Sequence, residues 1–164
     1  MPTQINGTTG VDKHQDGSVT QEDLAANVAG NGPAFIAYRS TTPQSITISP
    51  VTMVCDVEEL DTANAYNTAT GVFTAPIAGL YCFTAYAYFA SSSYITKLTF
   101  IKNGVTYARP DNRSVPSGNC QGSVYVKLAV GDTVSVALTS DTTQNTFVAD
   151  STYSRFSGCL VRAA

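Results

Sequence analysis

The side chains able to do chemistry are few and scattered. His14 is the only imidazole, and it lies in a polar stretch where a histidine is a solvated turn residue rather than a base. The cysteines are Cys55, Cys82, Cys120 and Cys159. They form no Cys-x-x-Cys pair and are remote from His14, which argues against zinc. Cys82 and Cys159 fall inside apolar runs and are expected to be buried thiols packing as small hydrophobes. Cys120 follows a polar loop and is the thiol expected at the surface. Glu58, Glu59 and Asp61 cluster closely enough for a glycosidase pair or a calcium site; a solvated acidic loop over residues 58–64 is the simpler reading. No Gly-x-Ser-x-Gly, phosphate-binding loop or His-Glu-x-x-His is present. The chain is therefore expected to be non-enzymatic, with no catalytic residue, metal or cofactor.

Binding chemistry is better represented. Residues 109–119, RPDNRSVPSGN, carry two prolines and a glycine and read as a loop. Arg109, Asp111, Asn112 and Arg113 there can make directional hydrogen bonds to sugar hydroxyls or phosphates. Residues 140–152 form a second polar loop. Tyr94 and Tyr153, at strand edges, are stacking platforms for sugars. Loops on a rigid scaffold are where recognition usually sits, so these six side chains are the receptor-binding candidates.

Composition narrows the partners. Of 164 residues only 13% are charged, 43% are hydrophobic, and the net charge is −3. Without a Lys/Arg cluster, electrostatic binding to nucleic acid is not expected. No apolar run reaches the roughly 18–20 residues that span a bilayer, so no membrane insertion is expected. The start, MPTQINGTTG, is polar and has no signal-peptide core. It implies synthesis in a cytosol, reduced thiols, and export by a route such as assembly into a particle.

The elements that must position these groups are almost all strands. Residues 1–32 are polar and rich in Gly and Asn, and they cannot build a core. Thr20-x-x-Asp23 before Leu24-Ala25-Ala26 has the form of a capping box, predicting one or two helical turns there. From Pro33 to the end, strand and turn alternate, giving two regions: an anchor or connector at 1–32 and a β domain at 33–164. Strands are predicted at 34–38, 51–57, 72–74, 80–89 and 94–101. Asn103-Gly104 predicts a two-residue turn between strands. Val124, Val126, Leu128 and Val130, then Val134, Val136 and Leu138, predict an amphipathic hairpin about Gly131-Asp132.

The 80–89 strand also bears on assembly. Its odd positions include Tyr81, Phe83, Ala85 and Phe89; its even positions include Leu80, Cys82, Tyr86 and Tyr88. Both faces are mostly apolar, whereas a sandwich strand normally shows one face to water. A neighbouring subunit is the economical second cover, with Tyr81, Phe83, Tyr86, Tyr88 and Phe156 as core or interface residues.

Several motifs resemble the complement one-q globular-head family, relatives of the tumour necrosis factor jelly rolls. They are Ala34-Phe35-x-Ala37, YNTATGVFTAPIAGLYCF at 66–83, Lys102-Asn103-Gly104, Leu128-x-x-Gly131-Asp132-x-Val134, and the terminal Phe156-Ser157-Gly158. The resemblance spans residues 34–161 and implies an all-β, antiparallel jelly-roll β-sandwich that is trimeric, here with a short extended N-terminal segment. No Gly-X-Y repeat precedes Pro33, unlike the animal proteins. Residues 5–35 resemble connectors of bacteriophage tail-fibre and head-fibre proteins. The expectation is a virion structural protein, assembled in the host cytoplasm: the homotrimeric head of a phage fibre, spike or capsid decoration. Residues 1–32 would join it to other virion proteins, and the head would stabilise the particle, contact a host-surface glycan or protein, or both. The alternative is a free bacterial lectin-like binding module or adhesin; a polysaccharide-degrading enzyme is a weaker third.

Overall fold

A computed structural model describes residues 31–112, 118–142 and 145–164. The capping box at 20–26, His14 and nearly all of the proposed anchor lie outside the described residues. The strands are, in order, β1 (Ala34–Arg39), β2 (Gln44–Ile46), β3 (Val51–Thr52), β4 (Val57–Asp61), β5 (Tyr66–Asn67), β6 (Val72–Thr74) and β7 (Gly79–Tyr88). They continue with β8 (Thr96–Lys102), β9 (Val105–Asn112), β10 (Asn119–Leu128), β11 (Thr133–Ser140), β12 (Asn145–Phe147) and β13 (Asp150–Ala163). Every pairing is antiparallel. One sheet runs β10-β7-β13-β1-β4; the other runs β5-β6-β11-β8-β9, with β3 also on β11. This is the expected all-β jelly-roll sandwich.

The core between the sheets is aromatic, and its parts come from distant stretches of chain. Phe35 stacks on Tyr66 at 4.9 Å and on Phe73 at 5.2 Å, and meets Phe156 edge-on at 5.0 Å. Tyr81, Phe83 and Phe156 are wholly buried. The terminal glycine motif has a steric cause. Gly158 sits between Phe35 and Phe83 in the strand register, and a Cβ there would lie 2.4 Å from the Phe83 ring. Only glycine lets both rings lie over that point of β13.

Two motifs far apart in sequence prove to be one structural unit. Asn103 and Gly104 take φ of 50° and 77°, as a type I′ turn requires. The Asn103 side-chain amide donates to Asp132 Oδ1 at 2.8 Å, and its oxygen accepts from the Thr133 N–H at 2.7 Å. Asp132 also accepts from the Ala129 N–H at 2.9 Å and pairs with Lys102 at 3.0 Å. These bonds, the Asn103 amide first, hold the Asp132 carboxyl down at about 2.

Several sequence expectations are corrected. The alternating residues 124–138 do not form a hairpin: β10 pairs with β7 and β11 with β8, β6 and β3, so Gly131-Asp132 carries the chain from one sheet to the other. Period-two alternation marks a face, and it does not choose a partner. The run 51–57 is broken between β3 and β4, which belong to different sheets. Residues 58–61 of the expected acidic loop belong instead to the edge strand β4, where charged side chains block further pairing. Residues 109–112 belong to β9. Pro110 fits because β9 is an edge strand whose register slips beside it, Leu98 pairing with Asp111 and Phe100 with Ala108. The second loop contains β12, whose Phe147 is fully buried. The thiols reverse: Cys120 is buried and Cys159 exposed, with Cys82 between. Cys120 points into the sandwich, whereas Cys82 and Cys159 pair on the outer side of their sheet.

Candidate functional site

Two surfaces of the sandwich depart from the ordinary. The first is the outer face of the β10-β7-β13-β1-β4 sheet. Reading across the strands, its rows are Tyr125-Cys82-Cys159-Ala34, then Ser123-Thr84-Ser157-Ile36-Leu60, then Gln121-Tyr86-Arg155-Tyr38-Val57. Tyr88 and Tyr153 complete one end, their rings 5.8 Å apart. The charges on these rows are confined to Arg155, which pairs with Glu59 and lies 5.7 Å over the Tyr38 ring. Lys127 and Arg162 flank Leu80 at the far end. Tyr125 is 62% exposed, Tyr153 51% and Leu60 43%. The even positions of the 80–89 strand thus face outward, and nothing in the described chain covers them fully. Beside this face, Val105 and Tyr107 of β9 are also exposed, and the Tyr107 hydroxyl donates to the Tyr125 carbonyl at 3.2 Å.

The second surface is a groove on the outer side of the other sheet. Thr99 and Ala137 pair across β8 and β11 and point away from the core, because Leu98, Phe100, Val136 and Leu138 point in. Both are nevertheless as buried as core residues, at 9% and 7% exposure. Taller neighbours wall them in: Ile48 and Pro50 from the β2–β3 connection, Ile95, Ile101, Lys97 and Arg109. The cavity is about 310 Å³, at the lower end of the range for small-ligand clefts. Asp141 closes one end, its Oδ1 accepting the Ile95 N–H at 3.1 Å while its own N–H donates to the Ile95 carbonyl at 3.0 Å.

The structure separates the six side chains singled out from sequence. Arg109 lies on the groove rim, exposed. Asp111 is buried, and its carboxylate accepts the Gln121 N–H at 3.0 Å, tying β9 to β10. Asn112 ends β9, and Arg113 lies outside the described residues. Tyr94 is half-buried in the β7–β8 connection. Tyr153 belongs to the aromatic face and packs on Tyr86 and Tyr88. Lys97, Thr99, Thr139 and Asp141 were not singled out. Their outward alternation on β8 and β11 is legible in sequence, but the concavity is not.

Buried chemistry is structural. Burial pushes the Cys55 thiol up to about 12, with Asp56 adding to the shift. The Tyr66 hydroxyl, also raised by burial, donates to the Cys55 carbonyl at 3.2 Å and accepts its N–H at 3.1 Å. Among the described residues no three His, Cys, Asp or Glu side chains are grouped to hold a metal.

Comparison with known proteins agrees with this architecture. The globular domain of zebrafish complement 1qA protein superposes with a TM-score of 0.59 at 19% identity, covering 80% of this chain and 98% of that one. Murine APRIL at pH 8.0 superposes with a TM-score of 0.58 at 10% identity, covering 78% and 98%. At those identities the likeness is one of fold. No curated protein sequence matches the chain. Domains of the C1q and tumour necrosis factor families typically form homotrimers and are generally non-enzymatic binding modules. The C1q domain model matches residues 34–161, and the chain belongs to the C1q domain family.

Proposed function

We propose that the protein is a non-enzymatic, homotrimeric structural component of a virion, the head of a phage fibre, spike or capsid decoration, joined to the particle through residues 1–32. The observation that carries the assembly is the aromatic, sparsely charged outer face of the β10-β7-β13-β1-β4 sheet. Tyr88, Tyr125 and Tyr153 stand half-exposed there in the single chain. Contiguous apolar surface of this kind marks an interaction site. The exposed edge at Val105 and Tyr107 offers a second, different patch. A face of one copy against an edge of the next is a heterologous contact, and a three-fold rotation closes such contacts into a ring.

The particle setting rests on the resemblance of residues 5–35 to fibre connectors. Two measurements test it. Mass spectrometry of purified particles should find the chain at a fixed stoichiometry. A chain lacking residues 1–32 should still form a trimer and be missing from particles; incorporation of the truncated head would sink the anchoring role. The groove on the opposite sheet favours a second reading, a free bacterial lectin-like module, because a ligand site needs no particle. In that case the chain is secreted or surface-bound and is absent from any particle.

A further inference from the structure

We propose that the groove floored by Thr99 and Ala137 binds a carboxylated sugar, a uronate-like unit of an acidic surface glycan. This deepens the binding-module reading and rests on it. Lys97 and Arg109 stand on one rim, and among the described residues neither makes a hydrogen bond or an ion pair. The register places them together. Lys97 is two residues from Thr99 on the same face, and Arg109 sits in the bulge opposite Thr99. Two unpaired cations on one rim suit a single carboxylate, and the arginine can hold both of its oxygens.

The remaining walls match a sugar ring rather than a bare anion. Thr99, Thr106 and Thr139 bring hydroxyls that both donate and accept. Asp141 has one oxygen occupied by the Ile95 N–H, which leaves the other to accept from a ring hydroxyl. Ile48, Ile95, Ile101 and Pro50 supply aliphatic surface for the C–H faces of the ring. A phosphate ion would fill little of a cavity of about 310 Å³ and would lie against those aliphatic walls without gain. The groove also lies on the sheet opposite the aromatic face.

Isoleucine methyl groups give a direct test on the full chain. Ile48, Ile95 and Ile101 line the groove; Ile36 and Ile46 lie on the opposite face and in the core, and serve as controls. Titrated glucuronate should shift the three groove methyls saturably and leave the controls unmoved. Glucose should bind at least about tenfold more weakly, the value of one charge-assisted hydrogen bond. Lys97→Ala and Arg109→Ala should each weaken glucuronate binding by about tenfold. Both residues are surface-exposed, and an unchanged Ile46 signal verifies the fold. No shift with glucuronate, an equal response to glucose or inorganic phosphate, or full affinity in the double variant would overturn the proposal. A response to an acetylated aspartate amide with none to glucuronate would overturn it too, assigning the groove to an acidic peptide. Light scattering on the same samples reports assembly separately, so loss of the trimer and loss of the ligand are read apart.

Discussion

Replacing Tyr88 and Tyr153 together by glutamate should dissolve the trimer without unfolding the chain. The two rings lie 5.8 Å apart and are 40% and 51% exposed in the single subunit. A fully buried tyrosine removes roughly 200 Å² from water, so covering the exposed parts of both rings removes roughly 180 Å². At roughly 25 cal/mol per Å² that is about 4–5 kcal/mol at each interface. Its loss alone weakens each contact by about a thousandfold. A carboxylate carried into the same contact adds a desolvation cost of several kcal/mol. In the isolated chain both positions already meet water, so the strand register and the β-sheet circular dichroism should survive. Sedimentation over a concentration series should find the wild type trimeric at micromolar concentration and the double variant monomeric. A variant that sediments as an unchanged trimer refutes the assignment of the interface to this face. A monomeric wild type refutes the assembly itself.

Thiol labelling reads the same interface independently. Cys159 should react with maleimide in the glutamate double variant and be protected in the wild type, while Cys55 and Cys120, both buried, stay silent until unfolding; equal Cys159 labelling in both proteins would contradict the covered face. Gly158→Ala puts a methyl 2.4 Å from the Phe83 ring and 2.9 Å from Phe35. It should cost about 1–3 kcal/mol by overpacking, or roughly 4–10 °C in melting temperature for a domain of this size, and an unshifted melt would show that the rings yield freely. Asp132 is held at about 2 against an ordinary 3.8, so its contribution is present above that ordinary value and is lost as pH falls through about 2. Asp132→Asn should flatten this part of the acid stability profile; an identical profile would remove Asp132 from the cause. Asp111→Ala should lower stability by about 1–3 kcal/mol, because the variant loses the charge-assisted bond from the part-buried Gln121 N–H to the buried Asp111 carboxylate; a neutral effect in urea unfolding would count against that role.

Much of the fold is legible from local chemistry. The Asn103-Gly104 turn follows from φ preferences that act within two residues, and the in-out alternation of β7 follows from the pleat of a single strand. The aromatic positions Phe35, Phe73, Phe83 and Phe156 announce a core before any partner is known, since large apolar rings must leave water. Even the exposure of Cys159 is implicit, because it stands one residue from inward Gly158 and Leu160 in an extended strand. Pairing is different. Whether 124–128 lies beside 134–138 or beside 79–83 depends on which sheet closes over the core, and alternation is identical in both arrangements. Pro110 reads as a loop residue until β9 is known to be an edge with a slipped register. The groove belongs wholly to the tertiary structure. Lys97, Arg109, Ala137 and Ile48 come from four separate stretches of chain, and a concavity exists only where their heights differ across paired strands. The same holds for the aromatic face: the sequence determines that Tyr86 and Tyr88 share one side of a strand with Cys82, and the sheet decides that Tyr38, Tyr125 and Tyr153 join them, because strand neighbours are chosen by closure of the sandwich and not by any residue's own preference.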